Sequence, residues 1–528
     1  MADNRKEQER QELHNKLWAI CNELRGSING WDFKQYVLGM MFYRFISENL
    51  ANYINKNQHD AGEKDFNYAD IDDAKAEQIR DYMIQTKGFF ILPSQLFENV
   101  CKNAASDPNL NETLEQVFKA INDSAIGSPS EANFSGLFDD IKINDSRLGN
   151  TVAKRNERIV KLLNGVASME FGEDYQDNSI DAFGDAYEFL MGLYAANAGK
   201  VGGEYFTPQE VSELLCRLTT IGKTYVDKVY DPACGSGSLL LKFAKVLGTE
   251  NVRKGFYGQE YEPTTYNLCR INMFLHDIGY EKFDIACEDT MINPQHWDDV
   301  PFDAIVCNPP YSHKWEGDSN PLLINDPRFA PAGVLAPKNY EDYAFVLHCL
   351  NWLSSNGTAA IVCWPGIMFR GGAEKKIRKY LIDNNYVDCI IQMPENLFFG
   401  VTISVCIMVL KKNKTDNNIL FIDAAKECKK ITNANKLEPK HIDNIIKLYN
   451  DRENIEHVSS VVSNVDIGNE ENSYDLQVST YVAPEEAPPI NIDVVNEELA
   501  SVVNIASELR DSINNIIAEI EGDNGHAR

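Results

Sequence analysis

Val229–Leu240, VYDPACGSGSLL, reads as the end of a strand, a glycine-rich turn and the first residues of a helix. It departs from two familiar nucleotide turns. It lacks the Gly-x-Gly-x-x-Gly spacing of a dinucleotide fold, and no Lys-Ser/Thr follows to hold a phosphate. An aspartate, Asp231, stands at the strand end instead. A carboxylate there repels phosphate but pairs with an ammonium group. Gly235 and Gly237 let the backbone approach a ligand closely. A ligand with an amino-acid head, an adenosine tail and no phosphate satisfies all of this, and S-adenosylmethionine is such a ligand.

Outward from this turn, residues 225–425 alternate short β-rich runs with helical stretches: YVDKVYD, KGFYGQE, KFDIACED, FDAIVCNPP, GTAAIVCWP, YVDCIIQMP and ISVCIMVLKK. That βαβα rhythm predicts an α/β fold, a mainly parallel sheet with helices on both faces. Ligands of such sheets sit outside the carboxyl ends of the strands. Asp231, Glu260, Asp289 and Asn308 fall at those ends. Glu260 is suited to accept both ribose hydroxyls, Asp289 to accept from an adenine amino group, and Thr207 to bond a methionine carboxylate. Any one such carboxylate is more often a helix cap or a surface charge. Three at successive strand ends behind one glycine turn favour a cofactor.

The fourth run, Phe302–Tyr311 (FDAIVCNPPY), drives a hydrophobic strand into an asparagine, two prolines and a tyrosine. Proline has no N–H, so Pro309 and Pro310 leave only carbonyls in the turn, and Pro310 holds residue 309 extended. Asn308 sets a side-chain carbonyl beside the carbonyl of Pro309. Two acceptors side by side suit an amino group with two hydrogens, and Tyr311 offers a flat face for a planar ring. An exocyclic adenine amine is a poor nucleophile because its lone pair is delocalised. Acceptors drawing on its hydrogens favour a pyramidal nitrogen aimed at a sulfonium methyl, with preorganised dipoles stabilising the charge that develops. A base inside a duplex must be flipped out to reach such a pocket. The bland alternative is a turn that merely ends a strand; its place behind the Asp231 turn in the same sheet favours methyl transfer.

At 528 residues, 44% hydrophobic and 10% aromatic, the chain exceeds a single core. Residues 1–170 carry helical spacing, as at Leu13, Leu17, Ile20 and Leu24, without a catalytic pattern, and are expected to form an α-helical N-terminal domain. A catalytic domain is expected over 171–430 and an acidic extension or linker over 431–489. Residues 450–528 hold seventeen acidic against three basic residues. Beyond Pro484, Pro488 and Pro489, the residues Ile492, Val495, Leu499, Val502, Ala506, Leu509, Ile513, Ile516 and Ile520 follow a heptad seam, which predicts a helix over 490–528; the bland reading packs it on its own domain, and its place beyond a proline-rich linker favours contact with a partner.

No apolar run is long enough to span a bilayer, and the polar start does not read as a signal peptide. The twelve cysteines are scattered without a Cys-x-x-Cys pair, which argues against zinc and for reduced thiols in a cytoplasm. The net charge of −29 is read first as a means of solubility; it also disfavours contact with bare nucleic acid, so a DNA substrate calls for a basic partner to deliver it.

The order GGEYFTP, DPACGSG, NPPY resembles that of amino-group DNA methyltransferases. With GQEYEPTTYNLCRINMFLHDI (258–278), PENLFFGVTISVCIMVLKK (394–412) and SYDLQVSTYV (473–482), most of the chain is similar to the modification subunit of type I restriction–modification systems. The resemblance implies adenine-N6 methylation in DNA. It also implies a specificity subunit that reads the site, two modification subunits for each specificity subunit, and a motor and nuclease subunit for restriction. It places the target base at Asn308, Pro309, Pro310 and Tyr311, and the cofactor at Thr207, Asp231, Pro232, Gly235, Ser236, Gly237, Glu260 and Asp289. Phe399 falls where the family has an aromatic that helps to hold the flipped base. No metal is implied.

Other readings use the same residues. The NPPY turn also serves enzymes that methylate a protein glutamine amide, another planar NH2 group, though those chains are usually shorter. A cytosine-N4 enzyme more often has Ser-Pro-Pro. A non-catalytic assembly subunit would not need the motifs intact.

Overall fold

The computed structural model describes residues 11–20, 32–169, 186–187, 189–190, 207–398, 401–431, 434–485 and 492–523. The described residues form eleven strands: β1 (Val226–Asp231), β2 (Val252–Glu260), β3 (Phe283–Cys287), β4 (Phe302–Cys307), β5 (Leu353–Cys363), β6 (Val387–Gln392), β7 (Cys406–Lys411), β8 (Asn418–Asp423), β9 (Lys429–Ile431), β10 (Ala434–Lys436) and β11 (Ser459–Ser463). Nine of them make one sheet in the order β11-β8-β6-β7-β5-β4-β1-β2-β3; β9 and β10 pair separately.

The sheet is mainly parallel. β1 pairs in parallel with β2 and β4, β2 with β3, β4 with β5, and β6 with β8. β7 runs antiparallel between β5 and β6. β8 and the antiparallel edge strand β11 extend the seven strands legible in the sequence. β11, SSVVS, is short and half polar, so no strand pattern marks it out.

Side chains of β1 and β4 alternate between two cores. Val229, Ala304 and Val306 face one, and Tyr230, Ile305 and Cys307 the other. Burial on both faces explains why β4, FDAIVC, reads as a nearly unbroken apolar run, whereas β1, VDKVYD, carries its partly exposed Asp227 and Lys228 near its start. The first core is shared with helices near the start of the chain, Asp32–Asp60, Leu110–Ser124 and Val152–Ala167. Arg270 is buried on the helix Pro263–Leu275, and its Nη1 donates to the carbonyls of Ala132 at 2.8 Å and Ser135 at 2.9 Å. The N-terminal helices therefore dock directly on the layer that covers β2 and β3.

The acidic stretch beyond 430 is not slack chain throughout. It supplies the helix Pro439–Asp451 and β11, and the first compact unit runs on to Val482. The second unit, from Ala483, holds the helix Ile492–Asp523. Ile492, Leu499, Val502, Leu509 and Ile513 of its seam are exposed. Among the described residues no helix is long and apolar enough to cross a membrane.

Candidate active site

The chain leaves β1 outward through β2 and β3, then returns to place β4 on the other side of β1. The strand order therefore reverses at β1/β4, the position where open α/β sheets form a crevice at their carboxyl ends. Asp231 and Glu260 are the last residues of β1 and β2; Asn308 follows β4 directly and Asp289 lies just beyond β3. Across the sheet edge the order is Asn308, Asp231, Glu260, Asp289.

Asn308 is buried at 6% exposure and held from both ends of its amide. Its Nδ2 donates to Thr207 Oγ1 at 3.0 Å, and its Oδ1 accepts from the Tyr311 hydroxyl at 2.6 Å. Thr207 is thus tied to Asn308, where the sequence suggested only a cofactor carboxylate. Tyr311 contributes its hydroxyl as well as its ring. The ring lies 5.7 Å from that of Trp364, tilted by 38°. Pro309 is buried and Pro310 half-buried.

Asp231 is fully buried. Its Oδ1 accepts from the Ala233 N–H at 3.0 Å, and its Oδ2 has no hydrogen-bond partner among the described residues. Burial, followed by the charge of Glu260, pushes its carboxyl up to about 8. An orphaned buried carboxylate oxygen at a strand end fits a cationic ligand group. Gly235 and Gly237 take φ of +53° and +80°, and a Cβ on Gly237 would stand 2.8 Å from Cys269 Sγ, so only glycine suits that position. The carbonyls of the turn are fixed from outside it. Asn272 Nδ2 donates to Ser236 O at 2.7 Å, and Thr290 Oγ1 donates to Pro232 O at 2.6 Å.

Glu260 accepts from the N–H groups of Gly235 at 3.0 Å and Glu262 at 2.9 Å, and burial raises its pKa. This second-strand carboxylate therefore also braces the first turn. Asp289 Oδ1 accepts from the N–H groups of Met291 at 2.8 Å and Ile292 at 3.2 Å, which orients its carboxyl group. Phe399 lies outside the described residues.

Four residues not singled out in the sequence join this edge. Trp364 follows β5, the neighbour of β4. Its run, CWP, is an apolar strand ending in an aromatic and a proline, as in CNPPY, and that parallel is the signal for it. Glu341 and Asp342 open the helix Asp342–Trp352, whose other residues are almost all buried and apolar. Asp342 Oδ1 accepts from the N–H of Ser312, which takes a left-handed φ of +53° directly after Tyr311. Burial, with repulsion from Asp289 and Asp342, pushes Glu341 up to about 8. His313 Nδ1 lies 2.9 Å from Glu341 Oε1. Two acids heading an otherwise apolar helix are visible in the sequence, but their burial beside the NPPY turn is not.

The chain is similar to known proteins over most of its length. The family described as N-6 DNA Methylase matches residues 178–488, and the HsdM N-terminal domain matches 13–166. The chain is 45% identical, over 99% of its length and 98% of the relative's, to the type I restriction enzyme MpnII methylase subunit of Mycoplasma pneumoniae. The crystal structure of a type I restriction–modification system methyltransferase subunit from Streptococcus thermophilus matches with a TM-score of 0.80 and 32% identity, covering 90% of this chain and 99% of that one. A structure from work on complex assembly and conformational transition of the type I R-M system matches with a TM-score of 0.63. At 18% identity over 96% of this chain and 99% of that one, it speaks for the fold alone.

Proposed function

The chain belongs to the N-6 DNA methylase family, as a methylase subunit of the type I restriction–modification kind, and we propose that it methylates the N6 amino group of adenine in DNA at the Asn308–Tyr311 turn. The observation that carries this residue assignment is the chain of hydrogen bonds Thr207–Asn308–Tyr311, one strand from the buried Asp231.

S-adenosylmethionine, when bound, supplies an electrophilic methyl group. Asp231 Oδ2 takes its ammonium group, Glu260 its ribose hydroxyls and Asp289 its adenine amino group. Pro232, Gly235, Ser236 and Gly237 form the turn beneath it. Asn308 Oδ1 and the Pro309 carbonyl accept from the two hydrogens of the target amine. A carbonyl oxygen has two lone pairs, so Asn308 Oδ1 serves both the Tyr311 hydroxyl and the substrate. The Tyr311–Asn308–Thr207 chain holds the amide plane in place before the base enters. That prior ordering is what makes the acceptors effective as charge develops on nitrogen. Tyr311 forms one wall for the flipped base, and stacking on it offsets part of the cost of extrusion.

A net charge of −29 weakens any direct hold on a duplex, so DNA is delivered by a specificity subunit that reads the sequence. The exposed seam of Ile492–Asp523 is the contact for that subunit, in the ratio of two modification subunits to one specificity subunit. A motor and nuclease subunit completes the restriction enzyme, and the assembly acts in the cytoplasm.

The test is methyl transfer from labelled S-adenosylmethionine to unmethylated DNA by the chain co-purified with its specificity subunit. N6-methyladenine is the expected product, and Asn308→Ala abolishes it while cofactor binding persists. N4-methylcytosine as the product, or wild-type transfer by N308A, overturns the assignment.

A further inference from the structure

Arg328 lies on the excursion from Tyr311 to the helix Asp342–Trp352, and none of its side chain is exposed. All five of its N–H donors are engaged. Nε and Nη2 hold the two oxygens of Asp326 at 3.0 and 2.8 Å. Nη1 donates to Thr290 O at 2.7 Å and to His348 Nδ1 at 3.3 Å, and Nη2 donates to Met291 O at 2.7 Å. Arginine has no acceptor, so His348 Nδ1 accepts and its Nε2 carries the hydrogen. Nε2 then donates to the Tyr230 hydroxyl at 3.0 Å. Burial first, and then the Arg328 charge, keep His348 neutral.

The two arms of this network end at one place. One arm reaches Tyr230, the residue before Asp231. The other grips the carbonyls of Thr290 and Met291, and Thr290 Oγ1 donates to Pro232 O, the residue after Asp231. Thr290 and Met291 belong to the turn that Asp289 caps through the Met291 and Ile292 N–H groups. Arg328 therefore locks the turn carrying Asp289 to the end of β1, across the intervening β2.

We propose that Arg328 is a positioning residue for the adenine of the cofactor: it fixes Asp289 relative to Asp231, so that the amino group is read at a set distance from the ammonium site. This rests on the assignment of Asp289 to that amino group. The guanidinium fork is essential to the role, because a lysine ammonium cannot hold two carbonyls, a carboxylate and an imidazole in fixed directions.

The test is calorimetric binding of S-adenosylhomocysteine and of its analogue lacking the purine 6-amino group to the full chain. Wild type should prefer the amino compound by about tenfold or more, the range of one hydrogen bond to a charged acceptor. Asp289→Ala should bring the ratio near one. Arg328→Lys should lower it severalfold or more, whereas general loosening would weaken both ligands alike and leave the ratio unchanged. A folded R328K with the wild-type ratio overturns the proposal. If R328K does not fold, Tyr230→Phe, which keeps the ring and removes the hydroxyl that ends the arm through His348, carries the test: a lowered ratio supports the proposal and a wild-type ratio overturns it. A wild-type ratio in D289A instead sinks the assignment of Asp289.

Discussion

The Tyr311 hydroxyl donates to Asn308 Oδ1 at 2.6 Å while Asn308 Nδ2 donates to Thr207 Oγ1 at 3.0 Å. One buried amide is thereby gripped at both ends by hydroxyl groups, which holds its plane in place. Tyr311→Phe keeps the ring and loses the grip on the oxygen. We expect kcat to fall about tenfold, the scale of one hydrogen bond, with little change in KM for DNA. Thr207→Val should act at the nitrogen end to a similar degree. Steady-state methylation kinetics of the assembled enzyme check both.

Asn308→Ala removes the acceptor itself. The expected loss in kcat is about a hundredfold or more, as for deletion of one preorganised group aimed at developing charge. Affinity for S-adenosylhomocysteine should change by less than about twofold, because the residue contributes no contact to the cofactor in this scheme. Single-turnover transfer and calorimetry on the same preparation separate the two effects.

Asp231 has its carboxyl pushed up to about 8 by burial. The folded protein then binds a proton that the unfolded chain has lost, from about pH 4 upward. Stability contributed at this site therefore falls as pH rises from about 4 to 8. Asp231→Asn removes the titration, so its Tm should exceed that of wild type by several degrees near pH 8.5 and converge with it near pH 4. The same substitution should abolish cofactor binding. In wild type, binding a cation at Asp231 should release a proton at pH 7, and affinity should improve as pH approaches 8. Melting curves, together with calorimetry in buffers of different ionisation enthalpy, measure each.

Leu499 and Leu509 are exposed on the helix Ile492–Asp523. Leu499→Asp with Leu509→Asp should leave the melting of the first unit and its cofactor affinity unchanged, since neither side chain is buried. Association with the specificity subunit should weaken by at least about tenfold, the cost of losing anchors from an apolar seam. Co-purification and analytical ultracentrifugation report the difference.

The sequence by itself determined the α/β class, because short β-rich runs alternate with helical stretches over 225–425, and that rhythm calls for parallel strands joined by crossover helices. It also determined the chemical character of the turns at Asp231–Gly237 and Asn308–Tyr311, since the absence of N–H groups in Pro309 and Pro310 and the freedom of Gly235 and Gly237 are properties of the residues themselves. The tertiary structure decided what local patterns cannot carry: β4 beside β1, β7 reversed between β5 and β6, and β11 recruited from an acidic stretch to the sheet edge. It decided, too, that Thr207 meets Asn308 and that Arg328 joins Tyr230 to the Asp289 turn. Those pairings link residues far apart in the chain through single hydrogen bonds. Their partners are chosen by how the layers stack and not by any local propensity.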